Sequence, residues 1–99
     1  MNHDLQFSLQ PRRVIESSEC VQQLKELCEK FPRFLEVWIS IRRELTDLAH
    51  HDAIKHPNLD GYHFKRTAAC YETPSFTYYY KYDESTATIM HIEATDDSM

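Results

Sequence analysis

Apolar and polar residues alternate at the start of the chain. Leu5, Phe7 and Leu9 are apolar, and the residues between them are polar. Strict alternation over about six residues is typical of a strand with one buried face. Pro11 cannot donate to a ladder hydrogen bond, so we expect this strand to end there and a connection to begin at Arg12.

The spacing of apolar residues then changes to that of a helix. Ser17 and Ser18 are candidate N-caps, and the apolar stripe that follows, from Cys20 to Phe31, steps by one or three residues. A second helical stripe begins near Pro32, which suits the first position of a helix, and runs to about His51. Two helices joined at one proline predict a helical hairpin.

The second half of the chain returns to a period of two. After a polar connection over 52–61, which ends in a turn at Gly61, three runs rich in aromatic and β-branched residues predict strands. They begin at Tyr62, Phe76 and Thr86, and the last two are joined by a turn over 83–85.

The predicted order of elements is β-α-α-β-β-β. This order predicts an α+β protein, a two-layer sandwich in which the helical hairpin packs on an antiparallel sheet. With 99 residues and no linker, we expect a single domain over 1–99, frayed at 1–3 and 95–99.

Composition excludes several classes of function. Gly61 is the only glycine, so the sequence contains no glycine-rich phosphate-binding loop. Apolar runs are too short for a membrane helix, and the polar N-terminus does not resemble a signal peptide. Cys20, Cys28 and Cys70 share no metal-binding spacing, so we expect reduced, buried cysteines in a cytoplasmic protein.

Two other clusters have ordinary structural interpretations. The histidines around 50–56 lack the spacing that would bring two imidazoles to one helix face, so no metal and no cofactor are predicted. The tyrosine run over 78–80 could stack nucleobases. A core face with aromatic cross-strand pairs is favoured, because few lysine or arginine residues lie near this run.

Basic side chains on the predicted strands suggest acid–base chemistry. If the three C-terminal strands are neighbours, His63, Lys65, Thr77, Tyr79 and His91 could share the face away from the helices, with Arg66 beside them. Histidine can move protons at a phosphodiester, and lysine can hold the charge that builds on phosphate. The candidate catalytic residues are His63, Lys65, Arg66 and His91, and a mixed solvated sheet face is the alternative.

The chain resembles a known family, the RelE/ParE toxins of bacterial toxin–antitoxin systems. The resemblance covers roughly residues 4–95 and rests on the order of the elements and three short motifs. Residues 59–65 are similar to the Leu-x-Gly loop that leads into a basic strand. Residues 76–83 are similar to a Phe-Arg-x-x-Tyr strand, and 89–92 to the closing hydrophobic strand.

The resemblance implies a growth-inhibiting protein with an antitoxin-like partner. The RelE branch cleaves messenger RNA on the ribosome without a metal, whereas the ParE branch binds gyrase. Carried over by position, His63 and Lys65 correspond to basic strand residues and Tyr80 to the strand aromatic. An active RelE-like member would be a metal-independent endoribonuclease with ribosome-bound messenger RNA as its substrate.

Three features depart from the family pattern. Thr77 stands where the family has arginine, acidic residues follow the last strand, and the formal net charge is −5. A negative field opposes the approach of nucleic acid. The alternative is therefore a non-catalytic acidic module on a similar fold that binds or inhibits a protein.

Overall fold

The sheet and its two covering helices are described by a computed structural model over residues 11–51 and 53–95. The predicted strand over 5–10, Asp52 and residues 96–99 lie outside the described residues. In chain order the elements are β1 (Arg13–Glu16), α1 (Ser18–Lys30), α2 (Phe34–Leu48), β2 (Ile54–Lys55), β3 (His63–Arg66), β4 (Phe76–Tyr82) and β5 (Thr86–Ala94).

Helix α1 begins where its capping residue predicts. The Ser17 hydroxyl accepts a hydrogen bond from the Cys20 N–H at 3.1 Å, and Glu19 lies in the first turn, where the helix dipole favours an acid. Cys20 is fully buried, and Leu24, Leu27 and Cys28 pack on the core. The helix ends at Lys30, before Pro32, as expected.

Helix α2 begins two residues later than the sequence indicates. Pro32 lies in the turn between the helices, and Arg33 is the N-cap of a helix that starts at Phe34. Arg33 donates to both carboxylate oxygens of Glu36 at 2.8 and 2.9 Å, which fixes the first turn without a capping hydroxyl. Five residues of the expected apolar stripe are buried: Phe34, Val37, Trp38, Ile41 and Leu45. The sixth, Leu48, is 41% exposed, and the helix ends there rather than near His51.

The five-stranded sheet is mixed, so the prediction of an antiparallel sheet is corrected. Its strand order is β1-β5-β4-β3-β2, and β1 runs parallel to β5 while the other pairs are antiparallel. Both helices lie on the chain between β1 and β5, and such a long connection is what a parallel pair requires.

Strands β1 and β2 form where the sequence predicts connections. The four residues of β1, Arg-Val-Ile-Glu, do not alternate between apolar and polar types, and Ile15 is 40% exposed. The two residues of β2 are both exposed. Their position comes from pairing with β5 and β3, which no local pattern records.

Strands β4 and β5 have the predicted bounds, but a β-bulge interrupts their register. Tyr79 pairs with His91, whereas Tyr80 pairs with Ile89, so Met90 is the extra residue. The bulge brings Ile89 and Ile92 to the same buried face, although they are three residues apart. Strict alternation along the run that begins at Thr86 predicts Met90 and Ile92 on one face and Ile89 on the other, and the bulge makes this prediction wrong.

The core lies between this inner face and the helices. Phe34 and Phe76 meet edge to face, with ring centroids 5.0 Å apart, and both are fully buried. The fully buried Tyr80 donates its hydroxyl hydrogen to the Ala49 carbonyl at 2.6 Å, so its polar group is satisfied. The α+β class and the packing of two helices on one sheet are as predicted.

A strained turn joins β3 to β4. Tyr71 and Glu72 have φ values of 55° and 62°, and the Thr73 N–H donates to the Cys70 carbonyl at 2.9 Å. Two successive positive φ values at the centre of a turn are usually supplied by glycine or asparagine. The turn holds Cys70 exposed, which corrects the expectation that all three cysteines are buried.

We expect Glu72→Gly to raise the free energy of unfolding by about 0.5–1 kcal/mol, because glycine adopts positive φ without the steric cost that a side chain has there. Urea denaturation measures the change. Glu84→Gly is the matched control, since Glu84 is also an exposed turn residue but does not have positive φ. Equal effects of the two substitutions would contradict the strain at Glu72.

Candidate functional site

The four candidate catalytic residues lie on opposite faces of the sheet. In the antiparallel register, His63 pairs with Tyr80 and Lys65 with Tyr78, both on the buried face. Arg66 pairs with Thr77 on the other face, the outer face of the sheet, where Tyr79 pairs with His91. The expectation that His63 and Lys65 share one open surface with Tyr79 and His91 is therefore wrong.

Lys65 points toward the helices and is engaged by α2. Its side chain is only 8% exposed, and its ammonium donates to Oε2 of Glu44 at 2.7 Å and to the Leu48 carbonyl at 2.8 Å. A lysine can bury its hydrocarbon stem this way if its charge finds partners. Lys65 is thus a structural contact between β3 and the end of α2.

His63 is half-buried among phenol rings. Its ring centroid lies 5.0 Å from that of Tyr82 and 6.0 Å from that of Tyr80. Its Nδ1 is buried and makes no hydrogen bond within residues 11–51 and 53–95. In this position the imidazole does not face the surface on which Arg66 and His91 lie.

The outer face carries a shallow cleft beside Tyr79. Its volume is about 190 Å³, and it lies between the loop after β2 and the strands β4 and β5. The Tyr79 ring has an imidazole on each side, with centroids at 5.8 Å for His56 and 5.6 Å for His91. The lining residues are His56, Leu59, Tyr62, Tyr79, His91 and Glu93.

His91 is held between two carboxylates. Its Nδ1 lies 2.8 Å from Oε2 of Glu19, and its Nε2 lies 2.9 Å from Oε1 of Glu93. Partial burial acts to lower the pKa of His91, but the hydrogen bonds and charges of Glu93 and Glu19 outweigh it and raise that pKa. The imidazolium form can donate to both carboxylates at once.

Gln23 completes the contact between α1 and β5. Its amide oxygen accepts from the Ile92 N–H at 2.8 Å, which turns the amide nitrogen toward Glu19 at 3.2 Å and toward Nδ1 of His91 at 2.7 Å. When His91 is neutral, Nδ1 can accept from this amide. The site therefore has a hydrogen-bonding partner for each protonation state of His91.

His56 is the functional candidate that the sequence does not single out for this surface. Its Nδ1 accepts from the backbone N–H groups of Asn58 and Leu59, each at 3.0 Å. In the neutral ring, the hydrogen therefore lies on Nε2. The sequence signal was the short polar turn after His56, which favours a side chain that caps backbone donors.

The charges near Tyr79 oppose one another. Burial raises the pKa of Tyr79, and the carboxylate of Glu93, which accepts from its hydroxyl at 3.2 Å, raises it further, while Arg66 acts to lower it. Arg66 is exposed and forms no ion pair within the described parts of the chain. Two cations of the outer face thus have no carboxylate partner among the described residues: Arg66, and Lys81, whose ammonium lies 4.8 Å from the centroid of the Tyr62 ring beside the cleft.

Metal binding and membrane insertion are two further properties that bear on the class of site. In the described part of the chain, no group of three or more His, Cys, Asp or Glu side chains is arranged to hold a metal ion. Neither helix has the length and apolar character needed to cross a membrane.

Comparison with known proteins adds no relative. No family model, no curated protein and no solved structure matches this chain.

We expect the advantage of His91 over glutamine to depend on pH. Because the folded-state pKa is raised, its stabilising effect is fully present below its ordinary pKa of about 6.5 and is lost as pH rises through the higher value. Urea unfolding of the wild type and of His91→Gln should show a larger difference at pH 6 than at pH 8.5. An NMR titration of Glu93→Gln should show a lower pKa for His91. A wild-type advantage that grows with pH would contradict the stabilisation of protonated His91 by Glu19 and Glu93.

We expect Lys65→Met to lower the free energy of unfolding by about 1–2 kcal/mol, because the Leu48 carbonyl and Glu44 lose a charged donor. Lys55→Met, at an exposed position of β2, is the matched control and should change stability by less than about 0.5 kcal/mol. Chemical denaturation at neutral pH measures both, and equal losses would mean that the contact with α2 contributes nothing specific.

Proposed function

We propose that this chain is a growth-inhibiting protein of the RelE/ParE toxin type that acts by binding its target with the outer face of its sheet. The observation that carries the proposal is the grouping of Arg66, Tyr79 and His91 on that face, beside an open cleft. Aromatic rings beside a cation are typical of surfaces that contact other macromolecules.

The distribution of charge supports binding rather than phosphate chemistry. Stabilising a scissile phosphate requires cations that face it. Lys65 is already neutralised by Glu44 on the other side of the sheet, and His91 lies between Glu19 and Glu93. The remaining arrangement favours a ParE-like mode, in which inhibition follows from occupancy of a target surface.

The proposal includes an antitoxin-like protein as the natural partner, as the resemblance implies. Such a partner would inhibit the protein by covering the surface that contacts the target. The alternative from the sequence, an acidic module that only binds a protein and does not affect growth, uses the same outer face and differs in its effect on cells.

A second candidate function, metal-independent RNA cleavage, is favoured by one observation. His56 and His91 flank the Tyr79 ring on opposite sides, and a pair of imidazoles can serve as general base and general acid. Arg66 is the cation near Tyr79. In this candidate His56 takes a role that the sequence gives to His63.

We expect induced expression in a bacterial host to slow growth, and Arg66→Ala combined with His91→Ala to relieve the inhibition. The double substitution removes the cation and the imidazole of the outer face. Arg43→Ala combined with His50→Ala is the matched control, because it removes an arginine and a histidine from exposed positions in α2 and in the turn that follows it. Growth curves with immunoblots measure the effect at equal protein level.

Normal growth while folded wild-type protein accumulates would contradict growth inhibition and favour the purely protein-binding module. Inhibition that the outer-face variant retains in full would contradict the assignment of the surface. RNA from translating ribosomes separates the two modes of inhibition, since new cleavage that His56→Gln abolishes would favour the ribonuclease candidate. Inhibition with intact messenger RNA would favour binding.

A further inference from the structure

A groove runs along the edge of β3, on the side away from β4. One part, of about 350 Å³, lies between α2 and the segment that follows β3, with Tyr78 at its base. A second part, of about 450 Å³, continues toward Ile54 and Phe64. The two parts share Glu44, Lys65 and Arg66, so they form one continuous depression, called here the edge groove.

The backbone of β3 is open to the edge groove. Strand β2 pairs only with His63 and Phe64, and no described strand pairs with β3 beyond Phe64 on this side. The Thr67 N–H donates to the Phe76 carbonyl on β4, so the alternation of an antiparallel ladder turns the N–H and C=O of Arg66 the other way. The N–H and C=O of Arg66 can therefore form backbone hydrogen bonds with an added strand.

The helix above the groove supplies an apolar wall. Val37 and Ile41, which are buried, and Ser40, which is exposed, line it from α2. A strand added to β3 would lie beneath α2, and every second side chain would point toward these residues. The groove thus selects apolar residues at alternate positions of an extended segment.

The strained turn lies at one end of the groove. Cys70 and Tyr71 line the groove there, and the Arg33 guanidinium lies 4.9 Å from the centroid of the Tyr71 ring. Positive φ at Tyr71 and Glu72 costs free energy, and strain of this kind is concentrated at ligand-binding sites. The turn and Arg33 together hold the Tyr71 ring where an incoming segment would contact it.

The charge of the groove indicates the chemistry of its ligand. The Glu44 carboxylate already accepts from the Lys65 ammonium. Arg66 lines both parts of the groove, is exposed, and has no ion-pair partner in the described ranges. The unsatisfied charge at the rim is therefore positive.

We propose that the edge groove binds an extended acidic segment of a partner protein, which adds as a strand to the open edge of β3. The added strand exchanges backbone hydrogen bonds with Arg66, places alternate apolar side chains under α2, and presents a carboxylate to the Arg66 guanidinium. Recognition by strand addition combines sequence-independent backbone bonds with specificity from the alternate side chains.

The test uses the full chain and a fluorescent synthetic peptide of alternating valine and glutamate. Two further peptides serve as probes: one of alternating valine and lysine, and one with the acidic sequence but N-methylated at every second residue. Fluorescence anisotropy measures binding. We expect the acidic peptide to bind, the basic peptide to bind at least about tenfold more weakly because its charges face Arg66, and N-methylation to abolish binding.

Substitutions locate the binding site on the protein. Arg66→Gln should weaken binding of the acidic peptide about threefold to fivefold, as expected for one exposed ion pair. Lys81→Gln is the matched control, because Lys81 is an exposed cation on the central strand β4, and it should leave binding unchanged. Thermal unfolding of each variant checks that it is folded.

NMR chemical shifts complete the test, and the peptide should perturb the amides of 65–68 and 40–44. Binding of the basic peptide with equal affinity, tolerance of N-methylation, or perturbations confined to residues around Tyr79 would each overturn the proposal. So would a concentration-dependent dimer that buries β3, because the edge would then belong to a second copy of the chain. Growth inhibition is not read in this experiment, so its failure leaves the proposed function to be judged on its own test.

Discussion

The contact of Lys65 with α2 decides which side of β3 is buried. Because side chains alternate along a strand, the position of one residue sets the position of all the others. With the Lys65 ammonium at Glu44 and the Leu48 carbonyl, His63 must also turn inward, and Phe64 and Arg66 must turn outward. The composition of both faces of this part of the sheet follows from that single polar contact.

The sequence predicts the parts of the fold that bury a continuous apolar stripe. The bounds of α1, β4 and β5 follow from Ser17, from Pro32 and from aromatic alternation, which are local signals. Strand β1 depends on pairing with β5 across both helices, so its four residues carry no local pattern. The parallel pair could not be predicted because the partner lies more than seventy residues away.

The candidate site was harder to predict than the fold, for two physical reasons. Hydrophobicity favours Phe64 as the buried residue of β3, but the structure buries Lys65, with its ammonium at Glu44, and Phe64 packs on Tyr79 at the outer face. The bulge at Met90 then shifts the parity of β5. His91 was correctly expected beside Tyr79, whereas His56 reaches that surface only through the fold of its loop.

Arg66 connects the two surfaces that remain open. Its backbone faces the edge groove, while its side chain lies on the outer face near enough to influence Tyr79. A strand bound in the groove with a carboxylate at Arg66 would neutralise one of the cations that the outer face offers to a target. Occupancy of the groove would therefore weaken target binding through charge alone, without any change in the backbone. A small sheet can in this way join recognition of a partner to control of a separate surface through a single edge residue.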